Sequence, residues 1–277
     1  MKRITLALTP FVTAAAALAL MSSRPEHMPL APLMAPRPVL SAAAPQASVP
    51  VVVELFTSEG CSSCPSADAA LRELETAQSV LGVEVIALGQ HVDYWDRLGW
   101  KDPYSSAQFT DRQRWYAEGF SEGNYTPQAV VNGRYEFVGS QKNTLAQTVA
   151  KAAQAPRATV TLARAANGTL QVQVSHLPAG TKAASVELAL TETGLSSQVG
   201  RGENSGRLLR HAAVVRSLRT LGTVGADGTF VGSAPLNLNA NWKADHLRAV
   251  VLVQETGSHH VVGVGTLPLG SGSTALN

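Results

Sequence analysis

The sequence predicts an α/β domain, a mixed sheet flanked by helices over residues 50–155, followed by an antiparallel β-sandwich-like domain over 156–270. Three observations carry this. Two aliphatic runs, "VPVVVELF" (49–56) and "VEVIALGQHV" (83–92), flank a stretch of helical periodicity. An Asn-Gly hairpin signal sits at 125–139. After Pro156 come short β-like runs separated by Gly, Asn or Pro.

The N-terminus comes first. Lys2 and Arg3 precede an apolar run from Ile4 to Met21, broken by Pro10, with Ala17-Leu18-Ala19 as a small-x-small cleavage site. That pattern reads as a secretory signal over residues 1–21, with an uncleaved anchor as the competing reading. Residues 22–49, rich in Pro, Ala and Ser, read as an extended linker. Export to the periplasm or beyond places the chain where disulfides persist. The 22 basic and 20 acidic residues are balanced, so no strong field recruits nucleic acid or anionic lipid. No later stretch is long and apolar enough to span a bilayer.

The first aliphatic run is rich in β-branched residues, as expected of a strand buried on both faces. Residues 66–81 then place Ala67, Ala70, Leu71, Leu74, Ala77 and Leu81 at helical spacing, with Asp68, Arg72, Glu73 and Glu75 opposite. With the second run this makes a βαβ unit. A helix is expected at roughly 106–118, capped by Ser105 or Ser106, and another at about 141–153, capped by Ser140. Between them, Asn132-Gly133 signals a type I′ turn. The runs "ATVTLARA", "TLQVQVS", "ASVELALT", "HAAVVRSL", "GTFVGSAP", "LRAVVLVQE" and "VVGVGTL" complete the β domain. Residues 271–277 are a tail.

The chain's two cysteines, Cys61 and Cys64, lie in "TSEGCSSCPSAD" (57–68), between the first strand and its helix. Pro65 is tolerated in a helix only in its first turn, so the pair marks the helix start. Unpaired N–H groups and the helix dipole there favour a thiolate. Cys61 is therefore the attacking thiol and Cys64 the resolving one. A permanent staple is the bland alternative, but so small a loop constrains the unfolded chain little. A third reading joins Cys61 and Cys64 with His91, at the end of the neighbouring strand, as a three-ligand site for a soft ion such as Cu(I). A single cysteine pair excludes a Cys₄ zinc site. Thiol exchange needs no organic cofactor, and its partners are protein thiols or disulfides.

A strand, "GCSSCP" at a helix start and a distant "TP" opening a hairpin resemble the thioredoxin superfamily. That resemblance implies a thioredoxin-like fold for 50–155, with Pro127 as a cis-proline, preceded by Thr126, offering backbone groups to a bound peptide. Some exported copper chaperones share that fold. More closely, "ELFTSEGCSSCPSAD", "HVDYWDRLGWKDPYSS", "YTPQAVVNGR" and "GRGENSGR" resemble a family of exported thioredoxin-like bacterial proteins known only as a domain of unknown function. This resemblance spans residues about 50 to 267 and implies no established activity.

The sequence departs from the best-known thioredoxins. Ser62-Ser63 supplies no histidine between the thiols, which argues against a strong oxidant. Glu54 is the nearest match to the buried proton-transfer carboxylate, but lies seven residues before Cys61, one more than that family's spacing. Glu59 sits where its charge opposes a Cys61 thiolate. In "QHVDYWDRLGWKDPYSS" (90–106), Asp93 and Trp95 either border the cysteine site, for proton transfer and substrate binding, or belong to a loop covering the domain edge. "GRGENSGRLLRH" (200–211) reads as an inter-strand or domain-contact loop.

Overall fold

The apolar run at 49–56 forms β1 (Val49–Thr57), which alternates between two buried faces. Val51, Val53 and Leu55 pack toward α1 (Cys64–Ala77) and α3 (Lys142–Ala152), against Ala67, Leu71, Leu145 and Val149. Val52 and Phe56 face α2 (Ala107–Ala117), in clusters with Phe109 and Tyr116. Helices on both faces explain why β1 is apolar throughout rather than alternating. The computed structural model describes residues 48–270. The expected signal segment, nearly all of the linker and the C-terminal tail lie outside them.

β1 pairs in parallel with β2 (Val83–His91) and antiparallel with β3 (Gln128–Val131), which turns into β4 (Tyr135–Val138). The Asn132-Gly133 turn has positive φ at both residues, as a type I′ turn requires. It also anchors at long range, since Asn132 accepts from the Val261 N–H through its backbone carbonyl (2.9 Å) and from the Val52 N–H through Oδ1 (2.9 Å).

Local details differ from the sequence reading in three places. α1 ends at Ala77, and Gln78 turns left-handed, so Leu81 lies beyond the helix, fully exposed. Asp68, placed on the polar side by periodicity, is buried. Ser106 caps α2 by accepting from the Gln108 N–H, but α3 starts after Gln141 with no side-chain cap, so Ser140 does not serve.

All seven β-like runs of the second half are strands: β5 (Thr159–Arg164), β6 (Leu170–Ser175), β7 (Ala184–Glu192), β10 (Val214–Thr223), β11 (Phe230–Ala234), β12 (Leu247–Glu255) and β13 (Val261–Pro268). A short ribbon, β8 (Ser196–Gln198) with β9 (Leu208–Arg210), lies between β7 and β10. No sheet boundary falls at residue 155. β7, β10, β12 and β13 continue the first sheet, giving eight strands in the order β13-β12-β7-β10-β2-β1-β3-β4. The second sheet, β11-β6-β5, lies over this extension and shares a core with it, including Leu170, Val172, Leu188, Leu190 and Val251. The fold is mixed α/β with one large mixed sheet, few helices and a second small sheet.

The join is at β2 and β10, which pair in parallel through Val214 and Gly89. The Gly89 N–H donates to the Ala213 carbonyl at 2.6 Å. A Cβ at Gly89 would lie only 3.2 Å from that oxygen, so the absent side chain permits the approach. Without β10, β2 would leave an unpaired edge. The described residues belong to a single compact unit, and none of their helices is long and apolar enough to cross a membrane.

Gly133 tests the long-range role of the hairpin. It has φ +61°, and a Cβ there would stand 2.0 Å from the His259 carbonyl oxygen. Gly133→Ala is expected to lower unfolding free energy by more than about 1 kcal/mol, read from urea denaturation. An unchanged midpoint would mean that the turn does not dock as described.

Candidate functional site

The chain leaves β1 at Thr57, crosses a short loop and enters α1 at Cys64, which places Cys61 three residues ahead of the helix. Cys61 and Cys64 form a disulfide. Pro65 occupies the second helical position, where its missing N–H costs nothing. The Cys61 N–H bonds the Ser58 carbonyl at 3.2 Å, and the Cys64 N–H bonds the Cys61 carbonyl at 3.3 Å. Ser62 and Ser63 are exposed, whereas Cys61 and Cys64 are only 1% and 0% exposed. The attacking and resolving thiols named from sequence are therefore equally shielded in this oxidised state.

The Thr126–Pro127 bond is cis. Gln128 pairs with Phe56, so Pro127 flanks the end of β1 from which the cysteine loop departs. Trp95 connects the two segments. Its Nε1 donates to Thr126 Oγ1 at 2.9 Å, and its Cβ lies 3.2 Å from where a Gly60 Cβ would be. Trp95 thus links the loop that carries Cys61 to Thr126, the residue before cis-Pro127.

Beneath the loop lies a buried polar cluster. Glu59 Oε2 accepts from Trp100 Nε1 at 2.7 Å, and Oε1 meets His211 Nε2 at 2.9 Å. The Glu59 N–H donates to Asp102 Oδ2 at 2.8 Å, an oxygen that also meets His91 Nδ1 at 2.7 Å. Asp68 Oδ2 accepts from Thr57 Oγ1 at 2.7 Å. The imidazoles of His91 and His211 stand edge to face at 4.8 Å, and Tyr104 packs on both at 5.4 Å. All five ionisable members are at most 4% exposed. Burial alone would lower the His211 pKa, but Asp68 and Glu59 outweigh it and push it up to about 9. Burial alone would raise the Asp102 carboxyl, but His91 and the N–H groups of Glu59 and Tyr104 hold it below its ordinary value.

A strap closes the site from the second half of the chain. Asn204 is fully buried, and its Nδ2 donates to the carbonyls of Glu59 and Cys61, both at 2.9 Å. Glu203 accepts from the Ser62 N–H at 3.0 Å, and Arg207 Nη1 holds Asn204 Oδ1 at 2.6 Å. Gly200 and Gly202 lie against Trp100. The polar loop read as a contact between strands or domains thus touches the cysteine loop itself.

Other residues named from sequence lie elsewhere. Glu54 points from β1 toward α2, the face opposite α1. There it pairs with Arg112 (Nη2 to Oε1, 2.9 Å) and bonds Tyr116 and Gln90. Asp93 accepts from Thr110 Oγ1 at 2.6 Å and fastens its loop to α2. The buried carboxylates beside the cysteine loop are Glu59, Asp68 and Asp102. His91 bonds Asp102 and, among the described residues, groups with Asp68 and His211 rather than with the two sulfurs. Asp68, Asp102, Asn204 and His211 went unrecognised in the sequence. The one local signal was Asp68, a turn after Cys64 and so on its face of α1.

The His211 pKa gives a pH test. Its folded value of about 9 exceeds the ordinary 6.5, so its stabilisation is complete below about 6.5 and disappears as pH rises through 9. In buffer containing EDTA, unfolding free energy should fall over that window, and the fall should be smaller in His211→Gln. Equal slopes in urea titrations of the two proteins would contradict the raised pKa.

A family described as "Protein of unknown function (DUF1223)" matches residues 52–254. The X-ray crystal structure of protein AGR_C_4864 from Agrobacterium tumefaciens is similar, with 30% sequence identity and a TM-score of 0.65. The similarity covers 84% of this chain and 99% of that one. No curated protein matches the chain. The chain belongs to this family of unknown function, DUF1223.

Proposed function

We propose that the protein is an exported thiol–disulfide oxidoreductase, built on a thioredoxin-like arrangement over residues 50–155 and acting on extracytoplasmic protein thiols. The observation that carries this reading is a disulfide closed at the first turn of α1, with cis-Pro127 at the end of the adjoining strand. A substrate thiolate attacks Cys61 Sγ, the Cys61–Cys64 bond breaks, and its electron pair leaves on Cys64 as thiolate. A second substrate thiol, as thiolate, displaces Cys61, so the substrate is oxidised to a disulfide and the protein is reduced. The reverse sequence reduces a substrate disulfide. Thr126 and Pro127 offer backbone to the substrate, and Trp95 holds Thr126 in place. Both cysteines are buried, so exchange requires the cysteine loop to open, and the strap at 200–207 holds that loop through the Cys61 carbonyl and the Ser62 N–H.

That burial favours a second reading, a structural clip closing the start of α1. Two variants separate them. Cys64→Ser should trap disulfide-linked partners that dithiothreitol releases, and Cys61→Ser should trap none. Asn204→Ala, which frees the Cys61 carbonyl, should speed reduction of the native disulfide several-fold. Empty traps, with a disulfide that yields to reductant only after unfolding, would leave the clip standing.

A further inference from the structure

The polar cluster under the cysteine loop has a feature that thiol exchange does not use. Asp68, His91 and His211 each have one polar atom tied down and the other without a hydrogen-bond partner. Asp68 Oδ2 is held by Thr57, leaving Oδ1. His91 Nδ1 is held by Asp102, leaving Nε2. His211 Nε2 is held by Glu59, leaving Nδ1. The three remaining atoms all lie within 4.8 Å of one another.

We propose that Asp68, His91 and His211 form a site for one divalent transition-metal ion of the zinc class, bound through Asp68 Oδ1, His91 Nε2 and His211 Nδ1. Three arguments support it. The first is tautomeric. A carboxylate accepts, so Asp102 places the proton of His91 on Nδ1, and Glu59 places that of His211 on Nε2. With His211 neutral, two nitrogen lone pairs and an anionic oxygen then face one another, and a cation displaces the proton that His211 Nδ1 otherwise holds. A proton on His211 Nδ1 would answer only Asp68, 3.7 Å away, and leave His91 Nε2 unpaired. One cation answers all three.

The second argument is charge. Asp68, Glu59 and Asp102 are buried, and no lysine or arginine makes a hydrogen bond or ion pair with any of them among the described residues. Three buried carboxylates with only the imidazoles of His91 and His211 to answer them are costly, and a dication supplies the missing positive charge. The third is orientation. Metal-bound histidine characteristically donates its other N–H to a carboxylate, and both histidines have that partner in place. Two imidazoles and one carboxylate suit zinc and its neighbours, whereas magnesium and calcium prefer oxygen alone. Zinc distances of about 2.0–2.2 Å require the three atoms, which lie within 4.8 Å of one another, to draw in on binding.

The ligands come from α1, the end of β2 and the segment before β10, so a bound ion would tie the two halves of the sheet together beside the disulfide. The site differs from the soft-ion set of Cys61, Cys64 and His91, because it needs neither sulfur and can be tested apart from thiol exchange. The untagged full chain, stripped with EDTA, is titrated with Co(II) and then Zn(II). One cobalt per chain with visible d–d bands is expected, displaced by zinc, with a rise in Tm and only nitrogen or oxygen neighbours in zinc X-ray absorption. His211→Gln and Asp68→Asn, checked for folding by circular dichroism, should weaken binding at least about tenfold, on the scale seen when a metal site loses support. The Cys61→Ser/Cys64→Ser double variant should bind as well as wild type. Absence of cobalt bands and of binding heat in folded wild type would overturn the site. So would a sulfur neighbour in the absorption spectrum, or unchanged affinity in both ligand variants.

Discussion

The buried carboxylate of Glu59 is the constraint around which the cysteine region is organised. It lies two residues before Cys61 and is almost wholly removed from water, where an unpaired charge would be prohibitive. Its two oxygens take Trp100 from the loop after β2 and His211 from the segment before β10, and its N–H takes Asp102. Satisfying one side chain therefore requires the first half of the chain, its longest connection and the second half to meet at one place. The strap follows, because Asn204 caps the Glu59 carbonyl as well as that of Cys61.

The opposite face of the sheet makes its join in the same manner. Glu54 on β1 is held by Arg112 and Tyr116 of α2, and Arg112 in turn bonds Gln254 of β12 (3.0 Å). Burial opposes the charge on Arg112, but Glu54 overrides it and raises its pKa. Breaking a buried pair of this kind typically costs about 3–5 kcal/mol, more than most single apolar contacts. On both faces, then, the extension of the sheet from β2 into β10, β7 and β12 is accompanied by a buried carboxylate of the first half whose hydrogen-bond network reaches the second, directly at Glu59 and through Arg112 and Tyr116 at Glu54. That explains why the two halves share one sheet: buried charges leave neither half a face it could expose.

The sequence made the elements legible and the assembly much less so. β1, α1 and the Asn-Gly hairpin follow from periodicity and turn chemistry, which act within a few residues. Pro65 located the helix start, and the resemblance located cis-Pro127. The join of β2 to β10 depends on a glycine backbone meeting the Ala213 carbonyl, a contact across more than a hundred residues that leaves no local pattern. Glu54 is the nearest carboxylate to the position that the resemblance implies, one residue off its spacing, and nearness along the chain does not say which face a residue takes. In β1 the residues at 51, 53 and 55 face α1, so 54 faces away. Asp68 and His211 were invisible for a related reason: a buried polar residue looks like a surface one until its partner is known.

Glu59 also changes the electrostatics of the disulfide. Read from sequence, a carboxylate beside Cys61 opposes a thiolate there. In the fold, both of its oxygens are engaged, one by an indole N–H and one by an imidazole whose pKa is raised by that carboxylate and by Asp68. The field reaching Cys61 is therefore that of a largely compensated group, and the Ser63 hydroxyl, 3.4 Å from Cys61 Sγ, together with the start of α1, is left to stabilise a thiolate. Compensation depends on positive charge in the cluster, whether a proton on His211 or a cation shared by three ligands. On the proposed thiol-exchange reading, the ease with which the disulfide accepts electrons would depend on the charge held in a cluster in which neither sulfur takes part.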